Sequence, residues 1–76
     1  MSEKIPKITS SELLRIIRKL GFILDRQSGS HAIYFHSSTR KRVIIPMHSK
    51  TIIKPKTLSG ILDDLGINIK RLKELL

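Results

Sequence analysis

The apolar pattern of this chain changes period twice, and that change limits its fold more than any single residue does. Leu13, Leu14, Ile16, Ile17 and Leu20 recur at helical spacing and define one stripe, with Arg15, Arg18 and Lys19 off it. Thr9 stands where an N-cap belongs, and Glu12, three residues later, completes a capping box. Ile8 and Leu13 occupy the two positions of a hydrophobic staple. Gly21 follows as the residue able to take the left-handed conformation that closes a helix.

After Gly21 the pattern turns to strands. Phe22 to Gln27 alternates loosely, Ser28-Gly29-Ser30 reads as a tight connection, and His31 to His36 is rich in β-formers, so these two runs predict a hairpin. Ser37 to Lys41 is a second polar turn, and Arg42 to Pro46 is a third strand that Pro46 ends. Met47 to Pro55 reads as a loop with few turn signals. Helical spacing returns near Pro55, where Leu58, Ile61, Leu62 and Leu65 share a face that Gly66 stops. Asn68 can cap a final short helix carrying Ile69, Leu72, Leu75 and Leu76. The expected fold is therefore α+β, in the order α-β-β-β-α with a short last helix. The sheet is a three-stranded antiparallel meander with the helices on one face and the other face left to solvent or a partner. Double-stranded-RNA-binding domains use this order, an analogy of fold that does not settle function.

Seventy-six residues suffice for one modest core. Residues 1–7 are expected to be a frayed tail and 8–76 a single domain. There is no cysteine, which excludes disulfide staples and thiolate metal sites and fits a reducing compartment. No apolar run approaches the ~20 residues that span a bilayer, and the polar N-terminus lacks the apolar core of a secretory signal. A cytoplasmic protein away from the membrane is expected.

Charge is the strongest compositional fact. Fifteen Lys and Arg against six Asp and Glu give +9. From Arg26 to Leu62 there is no acidic residue, while Arg26, Arg40, Lys41, Arg42, Lys50, Lys54 and Lys56 fall inside that stretch. A one-signed middle suggests an electropositive face for a polyanion, nucleic acid before an anionic membrane or an acidic protein. Aromatic residues are only Phe22, Tyr34 and Phe35, too few for a single-strand stacking platform, so recognition by shape and backbone contact is expected.

Three histidines, His31, His36 and His48, are the candidates for proton transfer near neutral pH. RNA cleavage needs a base for the 2′-OH, cations for the charge building on the phosphoryl oxygens, and an acid for the leaving 5′-oxygen. His31 directly follows Ser28-Gly29-Ser30, at the lip of the hairpin, where Gly29 lets a phosphate approach the main chain. Alone, this placement marks a structural or surface histidine more often than a catalytic one. His31 and His36 would point to opposite faces of an unbroken strand, and His36 reads as structural. His48 could contact phosphate or cap its loop. Arg40, Lys41 and Arg42 in the second strand turn, and Lys50, Lys54 and Lys56 around the later loop, would frame phosphates if loop and turn lie near one end of the sheet. No metal is expected: no two histidines have ligand spacing, and Asp63 and Asp64 face different directions on a helix. No phosphate-binding loop, dinucleotide fingerprint or nucleophile elbow is present, so no cofactor is expected.

Taken together, Gly21-Phe22, Arg26-Gln27-Ser28-Gly29-Ser30-His31, Pro46-Met47-His48, Thr57-Leu58, Ile61-Leu62 and Gly66-Ile67 resemble the HicA toxins of HicAB toxin–antitoxin systems. The resemblance runs from about Thr9 to Ile67. It implies a double-stranded-RNA-binding-like fold that cleaves messenger RNA without metal, with the histidine of the Gly-Ser-His motif, here His31, as the functional residue. It also implies a HicB antitoxin partner that covers the active face; RNA contacts are expected, from the charge and turn chemistry, at Gly29, Ser30, Arg40, Lys41, Arg42, His48, Lys50, Lys54 and Lys56. The family often has Gly before the Thr-Leu pair, and Lys56 stands there instead, which changes the start of the second helix. The competing expectation is a binding module without catalysis, such as a degenerate toxin. A DNA-binding antitoxin is less consistent, because three strands separate the long helices where a helix-turn-helix would need a short turn.

Overall fold

A computed structural model describes residues 4–47 and 50–76. Its elements are α1 (Ser10–Lys19), β1 (Ile23–Ser28), β2 (His31–Phe35), β3 (Arg42–Pro46), α2 (Pro55–Leu65) and α3 (Ile69–Leu75). The α+β order α-β-β-β-α read from the sequence is the observed one.

The ends of α1 form as local chemistry dictates. Thr9 Oγ1 accepts from the Glu12 N–H at 3.3 Å, and Glu12 Oε1 accepts from the Thr9 N–H at 2.9 Å. This satisfies two of the donors that a helix start leaves without partners. At the other end Gly21 has φ +95°, the Phe22 N–H donates to Ile17 O, and the Gly21 N–H donates to Arg18 O, both at 3.0 Å. That paired closure needs a residue free of a Cβ. A Cβ at Gly21 would also fall 2.8 Å from His36 Nε2. Gly66, at φ +75°, closes α2, with the Ile67 N–H donating to Leu62 O at 3.1 Å. Asn68 Oδ1 caps α3 by accepting from the Arg71 N–H at 2.8 Å.

The sheet has strand order β1-β2-β3 and is antiparallel throughout. Its alternation sends Ala32 and Tyr34 of β2, and Val43 and Ile45 of β3, onto the helices, where all four are buried. They meet Leu13, Ile16 and Ile17 of α1, Leu58, Ile61, Leu62 and Leu65 of α2, and Leu72 of α3 in one core. The opposite face carries the rows Ser28–His31–Pro46, Arg26–Ile33–Ile44 and Ile23–Phe35–Arg42. β1 differs from the other two strands: each of its six residues is exposed. It extends the hairpin beyond the helices, and its register shifts between Leu24 and Arg26.

The loop after β3 is better anchored than its sequence suggests. Ile52 bridges Thr9, the Ile53 N–H donates to Ile8 O at 2.8 Å, and Ile53 is buried. Ser10, buried at the start of α1, donates its hydroxyl to Pro46 O. These ties draw the start of α1, the end of β3 and the approach to α2 together. The segment expected to be a tail is also engaged before Ile8, because Ile5 packs against the rim of the core.

Candidate active site

The site is built where three chain ends meet. The β1–β2 turn, Gly29-Ser30, delivers His31 as the first residue of β2, and Gly29 takes φ +58° to make that turn. His31 pairs with Ser28 on one side and with Pro46 on the other, so its backbone is held in the middle strand while its side chain stays exposed. The starts of α1 and α2 approach from the far side. Ser10, His31, Ile44, Pro46, Thr51, Ile52, Ile53, Lys54 and Thr57 line a groove of about 480 Å³.

The two helix starts do not present the same electrostatics to this groove. At α1 the capping box occupies two of the free donors and adds the Glu12 carboxylate. At α2 no side chain caps the first turn and no acidic residue lies in it. The first intrahelical bond of α2 is the Leu58 N–H to Lys54 O, at 2.9 Å. The amides of Lys56 and Thr57 thus precede the helical ladder, as at any helix start. The positive end of the α2 dipole, with Lys54 beside it, therefore faces the groove that His31 enters.

The structure divides the basic residues that the sequence groups together. Lys54 lines the groove, and Lys50 and Lys56 are exposed on either side of it in the chain. Arg40, Lys41 and Arg42 belong to the β2–β3 turn, at the opposite end of the sheet, because Arg42 pairs with Phe35 whereas Pro46 pairs with His31. Four residues of strand separate the two rows, about 13 Å at the usual rise. Within that turn the cations have local partners. Arg42 lies over the Phe35 ring at 5.4 Å and within 4.0 Å of Asp25, an exposed pair. Lys41 Nζ lies so close to Gly66 that a Cβ there would fall 2.5 Å from it. The last turn of α2 has no basic residue of its own, so Lys41 supplies a cation to the negative end of that helix.

His36 stands apart from His31. Its ring packs edge-on against Phe22 at 5.1 Å, and its Nδ1 accepts from the Thr39 N–H at 3.2 Å, which closes the β2–β3 turn. His48 lies outside the described residues. Among the described residues, no group of three His, Asp or Glu side chains could hold a metal ion. Sequence reasoning missed the apolar lining of the groove. The signal available was the unbroken run Val43-Ile44-Ile45, in which strict alternation leaves Ile44 on the outer face.

The chain is a small α+β domain with a basic, acid-free middle stretch and an exposed histidine that shares a groove with a helix start. A comparison of the whole chain with curated proteins returns no significant match. The family model described as HicA toxin of bacterial toxin–antitoxin matches residues 10–67, and the chain belongs to that family. It is thus a toxin of a toxin–antitoxin system and pairs with an antitoxin. No helix among the described residues is long and apolar enough to cross a membrane.

Proposed function

We propose that this toxin is an endoribonuclease of messenger RNA, with His31 as its catalytic base. The observation that carries the reading is the placement of His31: exposed, fixed in the central strand, and sharing one groove with Lys54 and the uncapped start of α2. In this mechanism His31 removes the proton from a ribose 2′-OH. The 2′-oxygen attacks phosphorus as the bond to the 5′-oxygen breaks. Lys54 and the first-turn amides of α2 stabilise the charge on the phosphoryl oxygens. The proton taken by His31 returns through solvent to the 5′-oxygen, so none is gained or lost overall. The products are a 2′,3′-cyclic phosphate and a 5′-hydroxyl end. The chemistry needs no metal, because imidazole and fixed cations supply both functions.

Gly29 and Ser30 offer main chain beside the same phosphate. Lys50 and Lys56 extend the basic rim, and Arg40 and Arg42 lie where a strand continuing along the outer sheet face would pass, while Lys41 is turned to the end of α2. His48, outside the described residues, is by its sequence position a further candidate for phosphate contact. The cognate antitoxin on this reading is a HicB-like protein that covers the His31 face in the cytoplasm, its acidic surface drawn to the +9 chain. His31→Ala tests the proposal. Cleavage of RNA should fall by about 10²–10⁴, the usual contribution of a positioned acid–base group, and growth arrest should be lost while RNA binding survives. A wild-type chain that binds RNA but never cuts it would instead be a non-catalytic binding module.

A further inference from the structure

Two large aliphatic side chains beside His31 lie outside the core. Ile44 is 54% exposed and Ile52 is 45% exposed, and with Pro46 they form the apolar wall of the groove. Ile44 is the diagonal cross-strand neighbour of His31, since His31 pairs with Pro46 and Ile33 pairs with Ile44. Such neighbours stand about 7–8 Å apart on one face. That span matches the reach from a ribose phosphate to its own base. Lys54 and Thr57, in the same lining, are cationic and polar. The groove thus combines groups suited to a phosphate with groups suited to an uncharged planar ring, and the His31–Ile44 span is that of a single nucleotide. Its volume of about 480 Å³ falls within the roughly 300–1,000 Å³ of small-molecule sites. It would admit a nucleotide unit.

We propose that Ile44, Pro46 and Ile52 receive the unstacked nucleobase next to the scissile phosphate, so that the toxin cuts unpaired RNA in preference to duplex. This inference rests on the RNA-cleavage reading and adds its specificity. Two physical arguments favour a base over a protein side chain in the groove. Apart from Ser10, beside which the Glu12 carboxylate is tied up in its capping box, the groove is lined from the stretch Arg26 to Leu62, which has no acidic residue, so a polyanion is attracted to its β3 and α2 sides. Attack by the 2′-oxygen also requires it to lie in line with the departing 5′-oxygen. An A-form helix holds the two side by side, and a nucleotide whose base has been taken out of the stack is free to align them. Aliphatic contact with the ring face, with exclusion of water, then holds the aligned conformer. The cost of unstacking is least where the base is already unpaired, which supplies the selectivity.

The test uses the full chain and one fluorescent RNA, presented as a single strand, as the same strand annealed to its complement, and with one abasic ribonucleotide at the cleaved position. The single strand should be cut at least 100-fold faster than the duplex. Ile44→Ser and Ile52→Ser should each lower kcat/KM on the single strand at least tenfold, mainly through KM. The abasic strand should be cut at least tenfold more slowly by the wild-type chain, with no additional loss from Ile44→Ser. The abasic arm needs no variant and holds even if a serine variant fails to fold. Equal rates on strand and duplex, or an abasic strand cut at the full rate, overturn this inference and leave the ribonuclease intact. A chain that cuts no RNA overturns both. Serine variants that cut normally but lose only antitoxin capture would assign the wall to the protein interface and overturn the inference.

Discussion

Arg40 sits at φ +63°, in the left-handed region, and is the one non-glycine residue among those described that does so. The turn imposes it: the His36 N–H donates to Lys41 O at 2.9 Å and the Arg40 N–H donates to His36 O at 2.8 Å, which closes five residues into a tight reversal. The Cβ of an L-residue costs about 1–2 kcal/mol in that conformation. Glycine would relieve the strain but add freedom to the unfolded chain, which offsets part of the gain. Arg40→Gly is therefore expected to raise stability by about 0.5–1 kcal/mol, read from urea unfolding. An unchanged midpoint would mean that the turn relaxes without it. An arginine at a strained position fits a role for its charge, in the turn beyond the Phe35–Arg42 row at the other end of the sheet from His31. His31 itself was legible at the residue scale through Gly29-Ser30-His31, since a glycine turn followed by β-formers places a histidine at a hairpin rim. Lys54 was legible as a cation of the basic middle stretch, but the placement of Ile52 and Thr57 beside His31 was not, because they lie more than twenty residues away in the chain.

Elements differ in how firmly they are held, and the difference follows from burial. β2 and β3 alternate between core and surface, whereas β1 has no buried residue, with Ile23 63% and Leu24 51% exposed. β1 is therefore an edge strand held by ladder hydrogen bonds and cross-strand contacts alone, and its local opening exposes little apolar surface. Amide hydrogen exchange should show β1 protected at least tenfold less than the β2–β3 ladder. Equal protection would show that β1 opens only with the whole domain. The elements were legible in the sequence wherever their signals are local: the Thr9–Glu12 box, Gly21 and Gly66 as terminators, Asn68 as a cap, and the change of period between them. The approach to α2 was not legible. Thr9–Ile52 and Ile53–Ile8 are contacts between segments distant in the chain, and no turn residue announces them.

For the whole molecule, the net charge of +9 and its separation decide how the chain meets a partner. Each phosphate neutralised on a single strand contributes about 0.7 to the slope of log affinity against log salt. Lys54→Gln should reduce that slope by about this amount for single-stranded RNA and slow cleavage as well. A substitution at Lys19, which bonds Leu75 O at 3.4 Å on the far side of the helices, should alter neither. An unchanged slope for Lys54→Gln would remove Lys54 from the phosphate contacts. The account as a whole stands on the ribose 2′-hydroxyl as the nucleophile that His31 activates. It is tested most directly with an RNA oligonucleotide carrying one 2′-deoxynucleotide at the cleaved position. The wild-type chain should bind this strand as it binds the all-ribose one, leave it uncut at that bond, and give 2′,3′-cyclic phosphate ends on the all-ribose control. Cleavage of the deoxy-substituted bond at the control rate would contradict the account.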